Sequence, residues 1–306
     1  MDKRQITFAG STIGEPWWTT GEIVAKVLKP HGYQVKISNE SFSDNNIRWV
    51  TGRKAGIGVC TSVLMQSAIK GIHDYNGEKH SGLTSIATIK RPAWIGLALR
   101  HDIGISDLRQ VKKRKYPLRI LASRPDKGLL LDIILSHYGL NLREIENWGG
   151  RFIKWSGPAG YVREGVVDMM LGNIYLGYTA HSRSWYEATT LFDMRFLSLD
   201  ETLITKLVKK YGFKRGTIPH GLFRGVDRDV PTIVDEYLFI YCLKSQDAKL
   251  VRLIAEGLDK NSELFKHTRS AFYYERDEVW KNPIIPLHPA AAEYYRSKGY
   301  MGKGAL

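Results

Sequence analysis

Cysteine is scarce in this chain of 306 residues, which contains only Cys60 and Cys242. Each lies in an apolar stretch with strand-like composition, so two buried thiols are the simpler prediction, although a disulfide between them is not excluded. Neither belongs to a group of cysteines and histidines with the spacing of zinc ligands. The sequence therefore predicts no metal site, and we expect the protein to use no cofactor.

A long apolar run and a leader sequence are also missing. The longest apolar candidate, "YLFIYCL" at residues 237–243, falls short of the roughly 18 residues that cross a bilayer and is typical of a buried strand. The first ten residues, "MDKRQITFAG", pass from charge into a predicted strand without the apolar core or cleavage site of a signal peptide. We therefore expect either a mature chain whose leader has been removed or a protein that stays in the cytoplasm.

Motifs of known catalytic chemistry are absent as well. The sequence has no GxSxG elbow, no P-loop and no recognisable pairing of a nucleophile with a base, which favours a binding protein over an enzyme.

Acidic residues are outnumbered by basic ones, 31 against 45, which gives a formal net charge of +14. This charge predicts an anionic partner, either a nucleic acid or a small acid. The densest basic run, residues 109–115, is interpreted as a solvated surface connection. Because no zinc-finger spacing, RNP-type motif or helix-turn-helix accompanies it, we expect a small organic anion and no nucleic acid.

Short apolar runs alternate with amphipathic stretches along most of the chain, which is typical of an α/β fold. The predicted strands are residues 5–9, 34–38, 55–60, 84–89, 94–99, 118–122, 167–171, 196–199 and 237–243. The predicted helices are residues 21–29, 46–52, 127–137, 159–164, 201–211, 248–259 and 289–298.

Two segments share one plan, a strand, a turn with small residues and then a helix. The first turn is "GSTIGEPWWTT" after the strand "ITFA", and the second is "SRPDK" after the strand "LRILA". Ligands of open α/β sheets lie at the carboxyl ends of strands, where helix N-termini present free N–H groups that suit an anion. The plan predicts two α/β units with an anion-binding turn in each, although two ordinary connections would give the same pattern.

Four stretches resemble motifs of a known family, and they occur in the family's order. The last one, "IIPLHPAAAEYYRSKGY" at residues 284–300, is similar to the end of the TAXI family, the substrate-binding proteins of one branch of tripartite ATP-independent periplasmic (TRAP) transporters. Residues 100–108, 196–213 and 216–233 resemble further family motifs in the same order. Ala290 departs from the family pattern, which usually has glycine at that position.

The resemblance implies a type 2 periplasmic-binding-protein fold, in which two α/β lobes are joined by a hinge with the ligand cleft between them. We expect residues 1–98 and 200–306 to form one lobe and residues 99–199 the other. The implied function is the capture of a small organic anion, such as an amino-acid-like, dicarboxylic or aromatic acid, and its delivery to TRAP-type permease subunits. The implied location is periplasmic, and we expect a monomer.

The binding loops are where the chain departs from the family, so the family's ligands are not carried over. "TIGEPWWTTG" stands where members have a Gly-Gly-Thr-Tyr-Tyr-like loop, and "SRPDKG" replaces a Gly-x-x-Gly-Ser-Gly turn. An enzyme or a cytoplasmic sensor with the same two-lobed fold remains the alternative.

The candidate ligand-binding residues follow strands of both lobes. In the first lobe, hydroxyls and backbone N–H groups can bind a carboxylate and the two indoles can supply a ring wall. These residues are Gly10, Ser11, Trp17, Trp18, Ser41, Phe42, Thr61 and Ser62. In the second lobe, an arginine can pair with a carboxylate through two hydrogen bonds. The residues there are Ser123, Arg124, Lys127, Asn173 and Tyr175.

Each candidate also has a purely structural interpretation. Gly10 and Ser11 fit an ordinary turn, the hydroxyls of Thr61 and Ser62 fit helix capping, and Arg124 fits a solvated loop. Because neighbouring residues cannot share one face, we expect one of the two tryptophans to pack in the core and the other to face the ligand. His220 and His288 are interpreted as structural histidines, the second as a cap or packing residue.

Overall fold

The structure is a computed structural model, and it describes residues 4–13, 15–39, 44–122, 129–154, 164–176, 182–267, 272–282 and 284–301. These residues form a mixed α/β fold. Strands β1 to β10 are Arg4–Ala9, Tyr33–Ser38, Ile57–Thr61, Leu83–Arg100, Arg119–Ala122, Arg151–Lys154, Met169–Ile174, Met194–Phe196, Lys214–Ile218 and Val230–Leu243. Helices α1 to α10 are Pro16–Leu28, Asp44–Thr51, Ser62–Lys70, Leu108–Arg114, Leu129–His137, Leu142–Asn147, Arg183–Leu191, Glu201–Tyr211, Ala248–Lys260 and Pro289–Ser297.

The chain divides into two compact units. Unit 1 contains residues 1–92 and 236–306, and unit 2 contains residues 93–235. The chain passes from unit 1 to unit 2 inside β4 and returns inside β10. The boundaries expected from the sequence differ from this division, because residues 93–98 and 200–235 belong to unit 2.

The sheet of unit 1 separates two apolar clusters. Its strands follow the order β2-β1-β3-β10, in which β1 is parallel to β2 and β3, and β10 is antiparallel to β3. Side chains alternate between faces along each strand. Phe8 packs in the cluster formed with α1, α9 and α10, whereas its neighbour Ala9 packs in the cluster formed with α2 and α3. Both faces of this sheet are therefore covered by helices, as expected for parallel strands.

Within unit 2, four strands pair in sequence along the sheet and pack over a core of their own. The order β4-β7-β5-β6 combines an antiparallel β4–β7 pair with parallel β7–β5 and β5–β6 pairs. The fully buried Asp168 precedes β7 and accepts hydrogen bonds from the backbone N–H of Arg119 at 2.9 Å and from its Nε at 2.8 Å. This ion pair joins the start of β5 to the start of β7. Trp185 of α7 packs with Phe196 and Phe223 in the core of this unit.

Several elements differ from those expected. The two strands predicted at 84–89 and 94–99 form one continuous strand, β4, which passes through Pro92. The predicted strand at 196–199 ends at Phe196 as β8. Strands β6 and β9 and helices α3, α4, α6 and α7 were not expected, and most of the predicted helix at 159–164 lies outside the described residues.

The basic run at residues 109–115 was expected to be a connection, but most of it forms helix α4. The side chain of Asp107 caps this helix by accepting a 2.7 Å hydrogen bond from the backbone N–H of Arg109. Val111 is buried, so the run has one apolar face. The prediction of a connection was wrong because the density of basic residues gives no sign of the helix, whereas the capping residue Asp107 does.

Both cysteines are buried and are not joined by a disulfide, which confirms the simpler prediction. Burial raises the pKa of the Cys242 thiol to about 12, and its Sγ lies 3.7 Å from Thr84 Oγ1. None of the described helices combines the length and the apolar character needed to span a bilayer.

Candidate ligand-binding edge of unit 1

The candidate site lies where two neighbouring parallel strands of unit 1 end. Strands β1 and β3 pair through Phe8 with Ile57 and through Ala9 with Gly58. Gly10 and Ser11 directly follow β1, and Thr61 and Ser62 stand at the junction of β3 and α3. The sheet therefore brings together four of the predicted residues that are far apart in sequence. We call this group, together with Asn46, the unit 1 edge.

Ser11 has the most informative environment at this edge. Its side chain is 2% exposed, and its Oγ has no hydrogen-bond partner among the described residues. A buried polar group without a partner costs about 1–3 kcal/mol, so such groups are uncommon without a functional or structural reason. Thr61 is nearly as buried, and its side chain does not cap α3 although it occupies the N-cap position.

Asn46 belongs to the same edge and was not predicted. It is fully buried, and its Nδ2 donates hydrogen bonds to the Gly10 carbonyl at 2.8 Å and to the Val59 carbonyl at 3.0 Å. Its Oδ1 has no partner among the described residues. The sequence does contain a signal, because Asn46 interrupts the apolar face of α2 that Ile47 and Val50 complete at helical spacing.

Two helices begin next to the edge with uncapped N-termini. Helix α1 starts at Pro16 after the loop that contains Ser11, and the side chain of Glu15 at its N-cap makes no capping hydrogen bond. Helix α3 starts directly after β3. The first N–H groups of a helix lack partners within the helix and carry partial positive charge. The side chains of Ser11, Asn46 and Thr61 are neutral, so the helix ends supply the partial positive charge of this edge. The carboxylate of Glu15 lies at the N-cap of α1.

The tryptophan pair lies in the first turn of α1, because this helix begins at Pro16 and not at Gly21 as expected. Trp17 is half-buried and packs against the apolar cluster of α1, α9 and α10. Trp18 is also half-buried, and its Nε1 donates a 3.0 Å hydrogen bond to Glu22 Oε1. The core role expected for one ring thus falls to Trp17, and a ligand contact by Trp18 stays a prediction.

Of the residues predicted in the second lobe, only Asn173 and Tyr175 are described, and the backbone carbonyl of each accepts a hydrogen bond. Asn173 lies inside β7 and not after a strand, and its carbonyl accepts a 2.9 Å hydrogen bond from Trp185 Nε1. Tyr175 is 3% exposed, and its carbonyl accepts a 3.2 Å hydrogen bond from Ser182 Oγ. The remaining predicted residues fall outside the described part of the chain, namely Ser41, Phe42, Ser123, Arg124 and Lys127.

The two histidines have separate surroundings. His220 is exposed, and its backbone N–H donates to Asp229 Oδ1 at 2.9 Å. His288 is buried, and its Nδ1 accepts a 3.2 Å hydrogen bond from the backbone N–H of Ala290, which caps α10. The predicted capping role of His288 is confirmed.

Comparison with known proteins gives a family and a fold. The model of the NMT1-like family matches residues 8–299. Among solved structures, MatC from Rhodopseudomonas palustris with bound malate has a TM-score of 0.50 at 13% identity, over 98% of this chain and 99% of that one. A TctC solute binding protein from Polaromonas has a TM-score of 0.49 at 12% identity, over 98% and 99% of the two chains. The expected fold class, the two-lobed α/β fold of periplasmic binding proteins, is confirmed.

Proposed function

Since the chain belongs to the NMT1-like family, we propose that it is a solute-binding protein that captures a small organic anion and delivers it to a TRAP-type membrane transporter. In this role the protein catalyses no reaction and acts outside the cytoplasm. The finer assignment to the TAXI proteins rests on the motifs at residues 284–300 and 216–233.

The unit 1 edge carries this proposal. A carboxylate accepts hydrogen bonds and favours partial positive charge, and the edge offers the buried Ser11 hydroxyl together with the uncapped N-termini of α1 and α3. Such donors bind an anion without the desolvation cost of burying a lysine or arginine. Helix N-termini bind phosphates as well as carboxylates, so the choice of a carboxylic acid rests on the malate bound to MatC, which has the same fold.

The experiment is a binding measurement on the purified full chain. Native mass spectrometry of freshly purified protein would identify a co-purified acid. Calorimetric titration with malate, succinate, glutamate and benzoate would then rank the acid classes, and malate is the first probe because MatC was solved with it. Failure of all four acids to bind, with no acid co-purified, would contradict the proposed function.

Substitution of Ser11 tests the edge itself. We expect Ser11→Ala to weaken binding of the best acid by roughly 1–2 kcal/mol, or about five- to thirtyfold in Kd, because one hydrogen bond to the carboxylate is lost. Ser67→Ala is the matched control, since Ser67 is also buried but its Oγ donates to the Val63 carbonyl within α3. Equal Kd values for Ser11→Ala and wild type would place the carboxylate elsewhere.

A further inference from the structure

Asn46 occupies the point at which β1 and β3 separate. The last pairs of this parallel ladder are Phe8 with Ile57 and Ala9 with Gly58. Continuing the same register would pair Gly10 with Val59, and these are the two residues whose carbonyl oxygens accept hydrogen bonds from Asn46 Nδ2 at 2.8 and 3.0 Å. The side-chain amide of Asn46 thus joins the two strands one position beyond their last backbone pair.

The orientation of this amide is fixed by its acceptors. Both Nδ2 hydrogens point at carbonyl oxygens, and a rotated amide would place Oδ1 against the same two oxygens. The side chain is fully buried on α2 beside Ile47 and Val50, so it has no room to exchange partners with solvent. Burial of an asparagine costs free energy unless its polar atoms are hydrogen-bonded, and here the two bonds of Nδ2 offset that cost while Oδ1 has no partner among the described residues.

The two tied carbonyls directly precede the polar residues of the edge. Ser11 follows Gly10 by one residue, and Thr61 follows Val59 by two. The backbone position of each hydroxyl is therefore set by a carbonyl that Asn46 holds. We propose that Asn46 is the positioning residue of this site, which fixes the distance between Ser11 and Thr61 and orders both strand ends before an acid binds. This inference rests on the proposed function in taking the unit 1 edge as the binding site.

Two substitutions separate positioning from hydrogen bonding in general. Asn46→Asp keeps the shape but replaces the donor by a carboxylate that faces two carbonyl oxygens. Asn46→Gln keeps the amide and displaces it by one methylene. Thr51→Val is the matched control on the same helix, since Thr51 Oγ1 donates to the Ile47 carbonyl at 3.0 Å at the end of α2 away from Asn46.

Calorimetry of the folded variants uses the acid that binds wild type most tightly among malate, succinate, glutamate and benzoate. We expect both Asn46 variants to raise its Kd by roughly tenfold or more, as for one or two lost hydrogen bonds. Thr51→Val should lower the melting temperature and leave Kd unchanged. Asn46 variants that bind as tightly as wild type, with only a lower melting temperature, would overturn the proposal.

Amide hydrogen exchange tests the positioning role of Asn46 without any bound acid. In wild type, both side-chain amide protons of Asn46 should exchange slowly because each is buried and bonded. In Asn46→Gln, or in Asn46→Asp if it folds, the amides of Ser11 and Ser62 should exchange faster while those of β2 do not. Rapid exchange of the Asn46 amide in wild type, or unchanged edge amides in both variants, would overturn the proposal even if wild type binds none of the four acids and the proposed function fails.

Discussion

Trp17 and Trp18 are neighbours in sequence with different surroundings in the structure. Successive residues of a helix point about 100° apart, so the two rings of α1 cannot pack on the same surface. Trp17 contacts the apolar cluster of unit 1, whereas Trp18 donates a hydrogen bond to Glu22, one turn along α1. The two residues should therefore fail in different ways when truncated.

We expect Trp17→Ala to lower the free energy of unfolding by roughly 1–3 kcal/mol, less than for a fully buried tryptophan, with little effect on Kd. Trp18→Ala should weaken binding of the acid by about 1–3 kcal/mol if its ring lies against the ligand, or about five- to hundredfold in Kd. Urea unfolding and calorimetric titration of both variants measure the two quantities.

Glu22→Gln is the control, because it keeps an acceptor for Trp18 Nε1 and removes only the charge. Intrinsic fluorescence should also change when the acid binds to wild type and should change less in Trp18→Ala. If both alanine variants lose only stability, the indoles are structural and Trp18 does not belong to the site.

At the scale of elements, helix α10 depends on an unusual cap. His288 Nδ1 accepts the N–H of Ala290, which requires that nitrogen to be unprotonated. Burial lowers the pKa of His288 below its ordinary value of 6.5, while the carbonyls of Lys244 and Gln246 oppose the shift. Burial also lowers the pKa of His80 in the same unit.

The sign of the pH dependence follows from these lowered pKa values. In the unfolded chain, His80 and His288 become protonated below about pH 6.5. In the folded chain their lowered pKa values delay protonation to a lower pH, so the free energy of unfolding falls as the pH falls. We expect the free energy of unfolding to decrease between about pH 7 and pH 5, measured by urea unfolding at each pH.

Replacing His288 by asparagine separates the contribution of the helix cap to the pH dependence from that of His80. His288→Asn supplies an oxygen that caps a helix N-terminus at any pH, so its stability should vary less with pH than that of wild type. His80→Gln removes the contribution of His80 to the pH dependence of stability and leaves the cap intact. If His288→Asn shows the full wild-type pH dependence, protonation of the cap does not contribute.

Elements with a strong local signal were predicted and others were not. Helix α8 has the predicted bounds, Glu201–Tyr211, because leucines and isoleucines recur on one face between Asp200 and the terminating Gly212. Helix α3 was not among the predicted helices, although Thr61 and Ser62 fit helix capping, because the apolar pattern that follows them is short. Strand β9, with the sequence KRGTI, is polar and partly exposed, so its strand conformation depends on pairing with β10.

At the scale of the whole molecule, the excess of basic residues is compatible with two kinds of anionic partner, a nucleic acid or a small organic acid. A protein that binds nucleic acid through several phosphates loses affinity steeply with salt, with a log–log slope of about −0.9 per phosphate contact on duplex DNA. A site that holds one carboxylate near buried neutral groups is screened much less. The charge of +14 alone does not separate these cases.

We therefore expect the Kd of the best acid to change little between low and physiological salt, and any binding of duplex or single-stranded DNA to vanish over the same range. Calorimetry for the acid and fluorescence anisotropy for labelled oligonucleotides provide the measurements. If DNA binds tightly at physiological salt and none of the small acids competes with it, nucleic-acid binding becomes the better-supported function.

The boundaries between the two units could not be predicted from local sequence patterns. The predicted lobe boundary at residue 200 was based on family motifs, whereas unit 2 extends to Asp235, well beyond α8. Strand β10 begins at Val230 and continues through the crossing to Leu243. A single strand shared by two units has no turn or linker at the boundary, so the local sequence gives no sign of it.

The sequence by itself determined the α/β class, the order of most strands and helices, the buried thiols and the polar residues that follow β1 and β3. These features depend on local periodicity, capping and turn residues, which are read within a few positions of the chain. Only the tertiary structure showed that Ser11 is buried without a described partner and that Asn46 ties Gly10 to Val59. Such features depend on contacts between residues 36 and 13 positions apart, and no local pattern specifies which distant atoms meet.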